Sequence, residues 1–284
     1  MRPRKLSVTE IETWLTDPYA IYARRILRLT VLDPLEQSTD ASDYGSLVHK
    51  GLQYFLRDYG ATWPANAEQR LHEAMMLALE DAKLRRALAE WWAPRLSRIA
   101  GWVAQEEVDR RSNRVLSALG SEITGDWALP AGPDLTQGFT LHGRADRIEV
   151  YATGHLSILD YKTGQPPTQK AVDAGLAPQL LLEAAMAAAG AFGAGYRGPA
   201  AELVYWHLTG GADPGEARPL FKSNAADIAQ AVTDAAASLR KLIAAFDDPA
   251  RAYLAQPHPG RLPRFPQYGQ LARVAEWRAV EDGE

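Results

Sequence analysis

The chain contains no cysteine, so it can form no disulfide, no thiolate zinc site and no cysteine-ligated iron–sulfur cluster. It has no run approaching the ~18 apolar residues needed to span a bilayer. Its first residues, MRPRKLSVTEIETW, lack the apolar stretch of a secretory signal. The expectation is a cytoplasmic bacterial protein with no membrane contact. An excess of basic charge is missing too: 31 Lys and Arg stand against 35 Asp and Glu, a net charge of −4. A polyanionic partner would therefore have to be met by a local patch, a groove or a bound metal. Repeats and low-complexity tracts are likewise absent. What is present is a 284-residue chain that is 46% hydrophobic, which excludes a disordered or fibrous class and is enough to bury a real core.

The first 120 residues carry helical periodicity. SVTEIETWLTDPYAIYARRIL starts with Ser7 at an N-cap and Glu10 at the capping-box position, and Asp17-Pro18 should interrupt it. DYGSLVHKGLQYFLRDYG sets Val48, Leu52, Phe55 and Tyr59 on one stripe, with His49 at its edge and Gly60 as a stop. Residues 66–119 predict two or three more helices, with Pro94 as the one strong breaker and a long helix ending at Gly120. Shorter, glycine-punctuated segments follow. SEITGDWALP, GFTLHGRADRIEVY and HLSILDYKTG predict three strands, the last two joined by a turn at Thr153-Gly154. A Pro-containing loop, a helix at APQLLLEAAMAAAGAF, a strand at AELVYWHLT and a helix at NAADIAQAVTDAAASLRKLIAAF complete the pattern, before a Pro-rich and then briefly helical end. The expected organisation is one structural domain in three parts: a helical region 1–120, an α/β core 121–246 and a C-terminal segment 247–284.

The chemistry lies in the strand pair Leu141–Gly164. A period of two puts Ser157, Leu159 and Tyr161 on one face and Ile158, Asp160 and Lys162 on the other, so a carboxylate and an ammonium share a site. Asp146 lies on the preceding strand after Gly143, where a glycine permits close approach. On that strand Arg144 shares the face of Asp146 and Arg147 does not. Two carboxylates with backbone carbonyls make a hard oxygen-lined site suited to Mg²⁺ or Mn²⁺. An Asp-x-Lys triplet taken alone is equally an exposed charge pair, worth at most ~1 kcal/mol. His49 is equally a packed residue making one hydrogen bond, Glu122 a solvated strand residue and Gln179 an early-turn polar group. Arg24, Arg25 and Arg28, with Arg2, Arg4 and Lys5, form a basic concentration able to track a nucleic-acid backbone or simply to face solvent. The eight tryptophans, Trp91 and Trp92 among them, are assigned to core packing.

The ordered blocks SVTEIETWLTDPYAIYARRILRL, YGSLVHKGL, GRADRIE, DYKTG, PQLLLEAAM and LARVAEW span nearly the whole chain. In that order they resemble the PD-(D/E)XK nuclease superfamily and its RecB-like branch, and more closely the C-terminal nuclease domain of AddB-type subunits of bacterial AddAB helicase–nucleases. The resemblance implies a restriction-endonuclease-like α/β core, a small mixed β-sheet flanked by helices, with an N-terminal helical region that contributes His49. It implies Asp146 and Asp160 as metal-binding carboxylates, the backbone carbonyl of Tyr161 as a third ligand and His49 as an additional one. Lys162 would be the catalytic lysine, Glu122 the acidic residue of the first core strand, and Gln179 the glutamine beside the attacking water or the phosphate. Arg144, Arg24 and Arg25 would contact DNA. The activity implied is Mg²⁺- or Mn²⁺-dependent, exonuclease-type hydrolysis of DNA in end processing and break repair, possible beside a helicase partner of AddA type. The alternatives are a non-catalytic DNA-end-binding scaffold and a CRISPR-associated or RNA-directed nuclease of the same fold.

Many RecB-like nucleases pin their two ends together with an iron–sulfur cluster whose early cysteine precedes Pro-Phe. Here Asp17 precedes Pro18-Tyr19, so no cluster is expected, and the segment 261–277 should pack back through Leu271, Val274 and Trp277. AddB subunits carry a helicase-like region before the nuclease; the expectation here is an excised domain or a stand-alone relative.

Overall fold

Ser7 opens the first helix by the mechanism its spacing predicts. Its hydroxyl accepts from the Glu10 N–H, while the Glu10 carboxylate accepts from the Ser7 N–H at 2.9 Å. Helix α1 (Val8–Thr16) stops at Asp17, and α2 (Pro18–Ile21) runs on into a π-turn, Tyr22–Ile26. The structure, a computed structural model, describes residues 2–31, 41–112, 114–257 and 267–276.

Three helices follow, α3 (Ala41–Tyr59), α4 (Ala67–Asp81) and α5 (Arg86–Ser112). Pro94 lies inside α5 and does not end it. The ~3 kcal/mol that an interior proline costs is opposed by burial of Trp92, Leu96, Ile99 and Val103 on the same helix. The first 120 residues are not all helical. Lys5–Ser7 forms a strand, β1, and α5 ends at Ser112 so that β2 (Leu116–Leu129) begins before Gly120. Three residues are too few to show alternation, and Leu116–Gly120 takes its conformation from pairing with Ile148–Tyr151 across the sheet rather than from local propensity.

Strand β3 (Phe139–Tyr151) turns at Gly154, whose φ is +81°, into β4 (Leu156–Lys162). Helices α6 (Gln169–Asp173) and α7 (Gln179–Ala189), strands β5 (Ala200–His207) and β6 (Glu216–Pro219), and α8 (Ala225–Asp247), capped by Asn224, complete the order. The short α6 and β6 are additions to the sequence expectation. The sheet is mixed and follows β1-β3-β4-β5-β6. Because residues 140–142 of β3 pair with both β1 and β2, those two strands flank β3 on opposite sides. β4 pairs antiparallel with β3 and parallel with β5. This is the restriction-endonuclease-like α/β architecture expected, a small mixed sheet between helices with a helical region ahead of it.

Strand alternation gives the sheet two cores. Ile148, Ile158 and Tyr205 face α1, α7 and α8, whereas Leu159, Tyr161 and Trp206 face α3, α4 and α5. Among the described residues no helix is long and apolar enough to cross a membrane. Two packing expectations need correction. Trp92 is buried, but Trp91 is 62% exposed beneath the Arg95 guanidinium. In the C-terminal segment Leu271 is 51% exposed and Val274 half-buried, while Trp277 lies outside the described residues. The return contact is made by Tyr268, which packs with Ala20 and Ala23 and donates its hydroxyl to the Leu29 carbonyl at 2.8 Å.

Candidate active site

At the C-terminal end of β4 a cavity of about 730 Å³ opens, with His49, Glu122, Asp146, Asp160, Lys162 and Gln179 in its wall. The six come from five elements: α3, β2, β3, β4 and α7. β3 and β2 are antiparallel, with Ser121 opposite Arg147 and Ile123 opposite Ala145, so Glu122 lies directly across from Asp146. Glu122 also has a φ of +55° in the middle of a strand, a left-handed backbone that a non-glycine residue adopts at a cost of about 1–3 kcal/mol.

His49 arrives from α3. The Tyr161 carbonyl can only accept, so His49 Nε2 donates to it, at 2.8 Å. The other ring nitrogen, Nδ1, stands 3.4 Å from Asp146 and 3.6 Å from Glu122. Burial would lower the imidazole pKa, but hydrogen bonds to Asp146 and Glu122 and the charges of Asp146 and Asp160 raise it to about 10. Asp146 is held in turn by the Tyr161 N–H at 2.8 Å. Arg144 projects with Asp146 as alternation requires and pairs with Glu122. Arg147 points to the opposite face, fully buried between Glu107 and Glu149.

Asp160 and Lys162 share a face as predicted, with Nζ 2.7 Å from Oδ2. Gln179, on the first turn of α7, donates to Asp160 at 2.6 Å and accepts from Lys162 at 3.1 Å. Burial pushes Asp160 up to about 6, against the attraction of Lys162. Burial also works against the Lys162 charge, yet Asp160 beside it keeps the ammonium pKa above its ordinary value. Gly143 meets not a ligand but α7: a Cβ there would lie 2.8 Å from the Met186 side chain.

Two carboxylates behind this couple were not anticipated. Glu183, one turn after Gln179, is fully buried, accepts from Gln179 at 3.1 Å and has a pKa well above the ordinary value because of burial and the charges of Asp160 and Asp146. Glu12 of α1 is raised to about 7 by burial and accepts from the Gln179 backbone N–H. One oxygen of each is without a hydrogen-bond partner among the described residues. A signal existed for Glu183, the lone charge in the apolar helix LLLEAAM at i+4 from Gln179. None existed for Glu12, which lies beside an ordinary apolar stripe.

His49, Glu122 and Asp146 each offer one ligand atom, all within 4.8 Å of one another. An imidazole and two carboxylates suit a divalent cation. The anticipated ligands are thus divided between two neighbouring groups. Asp146 and His49 gather with Glu122; Asp160 stands with Lys162 and Gln179; the Tyr161 carbonyl accepts from His49. Of the three arginines expected on DNA, Arg144 is paired with Glu122, Arg25 is bound through Nε and Nη2 to Glu10 at 2.6 Å, and Arg24 donates to Gln267 at 2.5 Å.

Sequence comparison gives relatives of the same length class of match from one genus. An uncharacterized protein of Rickettsia bellii is 33% identical over 184 residues, 65% of this chain and 22% of that protein. The uncharacterized protein RC0550 of Rickettsia conorii is 32% identical over 188 residues, with the same coverage. The chain therefore spans about a fifth of the length of the curated relatives it matches. Among solved structures, the crystal structure of SSO0001 aligns with 83% of this chain and 76% of its own at 13% identity and a TM-score of 0.31. The family model of the PD-(D/E)XK nucleases matches residues 5–260, and with that span matched the chain belongs to the PD-(D/E)XK nuclease superfamily.

Proposed function

We propose that this chain is a divalent-metal-dependent deoxyribonuclease of RecB-like, AddB-like type, hydrolysing phosphodiester bonds at DNA ends during break repair. The observation that carries this reading is the lysine–carboxylate couple Lys162–Asp160 directly beside the His49–Glu122–Asp146 cluster. His49, Glu122, Asp146 and Asp160 would hold Mg²⁺ or Mn²⁺, and the ion would supply the charge that activates the attacking water and offsets the leaving alkoxide. With its pKa raised to about 10 the imidazole carries a proton on Nδ1, which binding of the ion would displace, while Nε2–H stays on the Tyr161 carbonyl.

Lys162 keeps its proton at neutral pH because Asp160 sits against Nζ. Its role is therefore to orient the water and neutralise charge on the phosphorane, not to act as base. Gln179 spans Asp160 and Lys162 with its amide and fixes their spacing. The helicase partner of AddA type is part of the same proposal, and so is the activity of the longer protein in which such a chain would sit.

Labelled single-stranded DNA, duplex ends and matched RNA, incubated with Mg²⁺ or Mn²⁺, test the reading. Asp160→Ala and Lys162→Ala are each expected to lower the cleavage rate by about 10²-fold or more at unchanged Tm. Full activity in either purified variant, or no metal-dependent cleavage by the parent chain, overturns it. RNA cleaved in preference to DNA reassigns the substrate.

A further inference from the structure

Away from the catalytic cavity, three tyrosines gather around a second hollow of about 390 Å³. Tyr22, at the start of the π-turn, meets Tyr19 at 5.9 Å and Tyr253 at 5.8 Å between ring centroids, both pairs tilted rather than interleaved. Arg2 and Arg251 complete the wall. The Arg2 guanidinium lies over the Tyr253 ring at 5.2 Å, and its Nη2 donates to the carbonyls of Pro249 and Arg251 at 3.0 and 2.9 Å. Arg2 also acts on the Tyr253 hydroxyl, as a hydrogen-bond partner and through its charge. The segment carrying Arg251 and Tyr253 is anchored on α2 by a Tyr19 N–H bond to the Leu254 carbonyl at 3.1 Å. The hollow is thus held by backbone as well as by side chains.

We propose that this hollow is a base-stacking subsite for single-stranded nucleic acid, continuous with the catalytic cavity. Every base has a π-face, so aromatic side chains with neighbouring arginines bind a strand without reading its sequence. The guanidinium of Arg251, in the wall beside those rings, suits a phosphate or a base edge. Continuity runs through named contacts. Thr9 is in the wall of the catalytic cavity, the next residue, Glu10, is bound to Arg25, and Arg25 follows Tyr22 by three residues on the same helical stretch. On this proposal a strand entering the cavity over Thr9 runs along Arg25 to the tyrosines. A surface with no net basic charge needs stacking to hold such a strand. The inference rests on the nuclease reading for the strand's presence in the cavity, but the subsite is testable by itself.

Fluorescence anisotropy with oligothymidylates from about 3 to about 12 nucleotides, with Ca²⁺ in place of Mg²⁺ to hold off cleavage, would read it directly. Matched oligouridylates form a second arm. The parent chain is expected to show a step in affinity, about tenfold or more, once the oligonucleotide is long enough to reach the tyrosines. Tyr22→Leu, which keeps apolar volume, removes the step, and Tyr22→Phe, which keeps the ring, restores it. Arg251→Gln shrinks it and flattens its salt dependence. An equal step in the parent chain and Tyr22→Leu, with both at the same Tm, overturns the subsite, as does the absence of any step. Metal-dependent cleavage without a step sinks this inference alone. A step without cleavage sinks the catalytic reading and leaves the subsite standing. A step with RNA but not DNA moves the subsite to RNA.

Discussion

Glu122 is a carboxylate whose backbone is bent for it. In the middle of β2 its φ of +55° is flanked by residues in ordinary strand pairing, and the bend brings its carboxylate to His49 and Arg144. Such strain is stable only where the surroundings over-determine it. In most strands glycine is less stable than alanine by roughly 0.5–1 kcal/mol. At a left-handed position the order reverses, because alanine pays the Cβ penalty that glycine escapes. Glu122→Gly is therefore expected to be more stable than Glu122→Ala, by about 1 kcal/mol in urea denaturation, with both variants losing the stabilisation that Mg²⁺ gives the parent chain. Alanine more stable than glycine would show that the bend carries no strain. Sequence could name Glu122 because the family pattern puts an acidic residue at the start of the first core strand, although β2 begins earlier, at Leu116, and holds Glu122 in its middle. It could not show the bend, since a φ value leaves no trace in residue type unless the residue is glycine or asparagine.

Strand β3 anchors elements on both of its faces, and alternation sets what each face does. Asp146 points to the catalytic cavity while Arg147, the next residue, points into the helical layer between Glu107 of α5 and Glu149. Arg110 continues the network to Glu149 and Glu202 at 2.8 Å each, and Arg114 reaches Glu202 at 2.6 Å. Arg110 and Arg147, both against the Trp206 ring, fix α5 against the sheet, and α5 carries the layer that presents His49. The pair Glu107–Arg147 is 1% exposed on both sides, so removal of Glu107 leaves the buried network one negative charge short, with Arg147 sharing Glu149 with Arg110. Glu107→Ala is expected to cost about 3–5 kcal/mol, read as a fall in the urea midpoint at unchanged slope. Glu90→Ala, which removes an exposed pair with Arg86 on the same helix, should cost no more than about 0.5 kcal/mol. Equal small losses from both would mean that the network is structurally idle. The helices and the long strands were legible because their periodicity is long, and Ser7, Asp17-Pro18 and Gly154 punctuate them where expected. β1, α6 and β6 were not: each has three to five residues, and their conformation comes from the strand or loop beside them. The buried network was also hidden, since Arg110, Arg111 and Arg114 look like solvated charge in a polar stretch.

At the scale of the whole molecule, charge works against the proposed substrate. The chain is net −4, and the cavity wall carries Glu122, Asp146 and Asp160 against Lys162, Arg144, Lys50 and, with its pKa raised to about 10, His49. Arg144 is already paired with Glu122, Lys50 with Asp81, Lys162 with Asp160 and His49 with Asp146 and Glu122, so each of these cations already faces a carboxylate before a phosphate arrives. The basic concentration near the N-terminus does not compensate: Arg4 is bound to Asp247, Lys5 to Asp126 and Arg25 to Glu10. A bound divalent ion inverts this local balance, because it is the largest charge in the site. Affinity for nucleic acid is thus expected to depend on the cation as well as on contacts. With a short oligonucleotide confined to the cavity, binding should be weak in EDTA and rise by about tenfold or more on adding Ca²⁺, a hard cation for oxygen ligands. Asp146→Asn removes one carboxylate of the only three-residue cluster found among the described residues, and should abolish most of that rise while slightly improving binding in EDTA by removing a repelling charge. The opposite signs matter, since a variant that merely unfolds the cavity loses affinity in both conditions. Equal affinity in EDTA and Ca²⁺ for the parent chain would mean that the strand is held by protein groups alone, and that His49, Glu122 and Asp146 gather for another purpose.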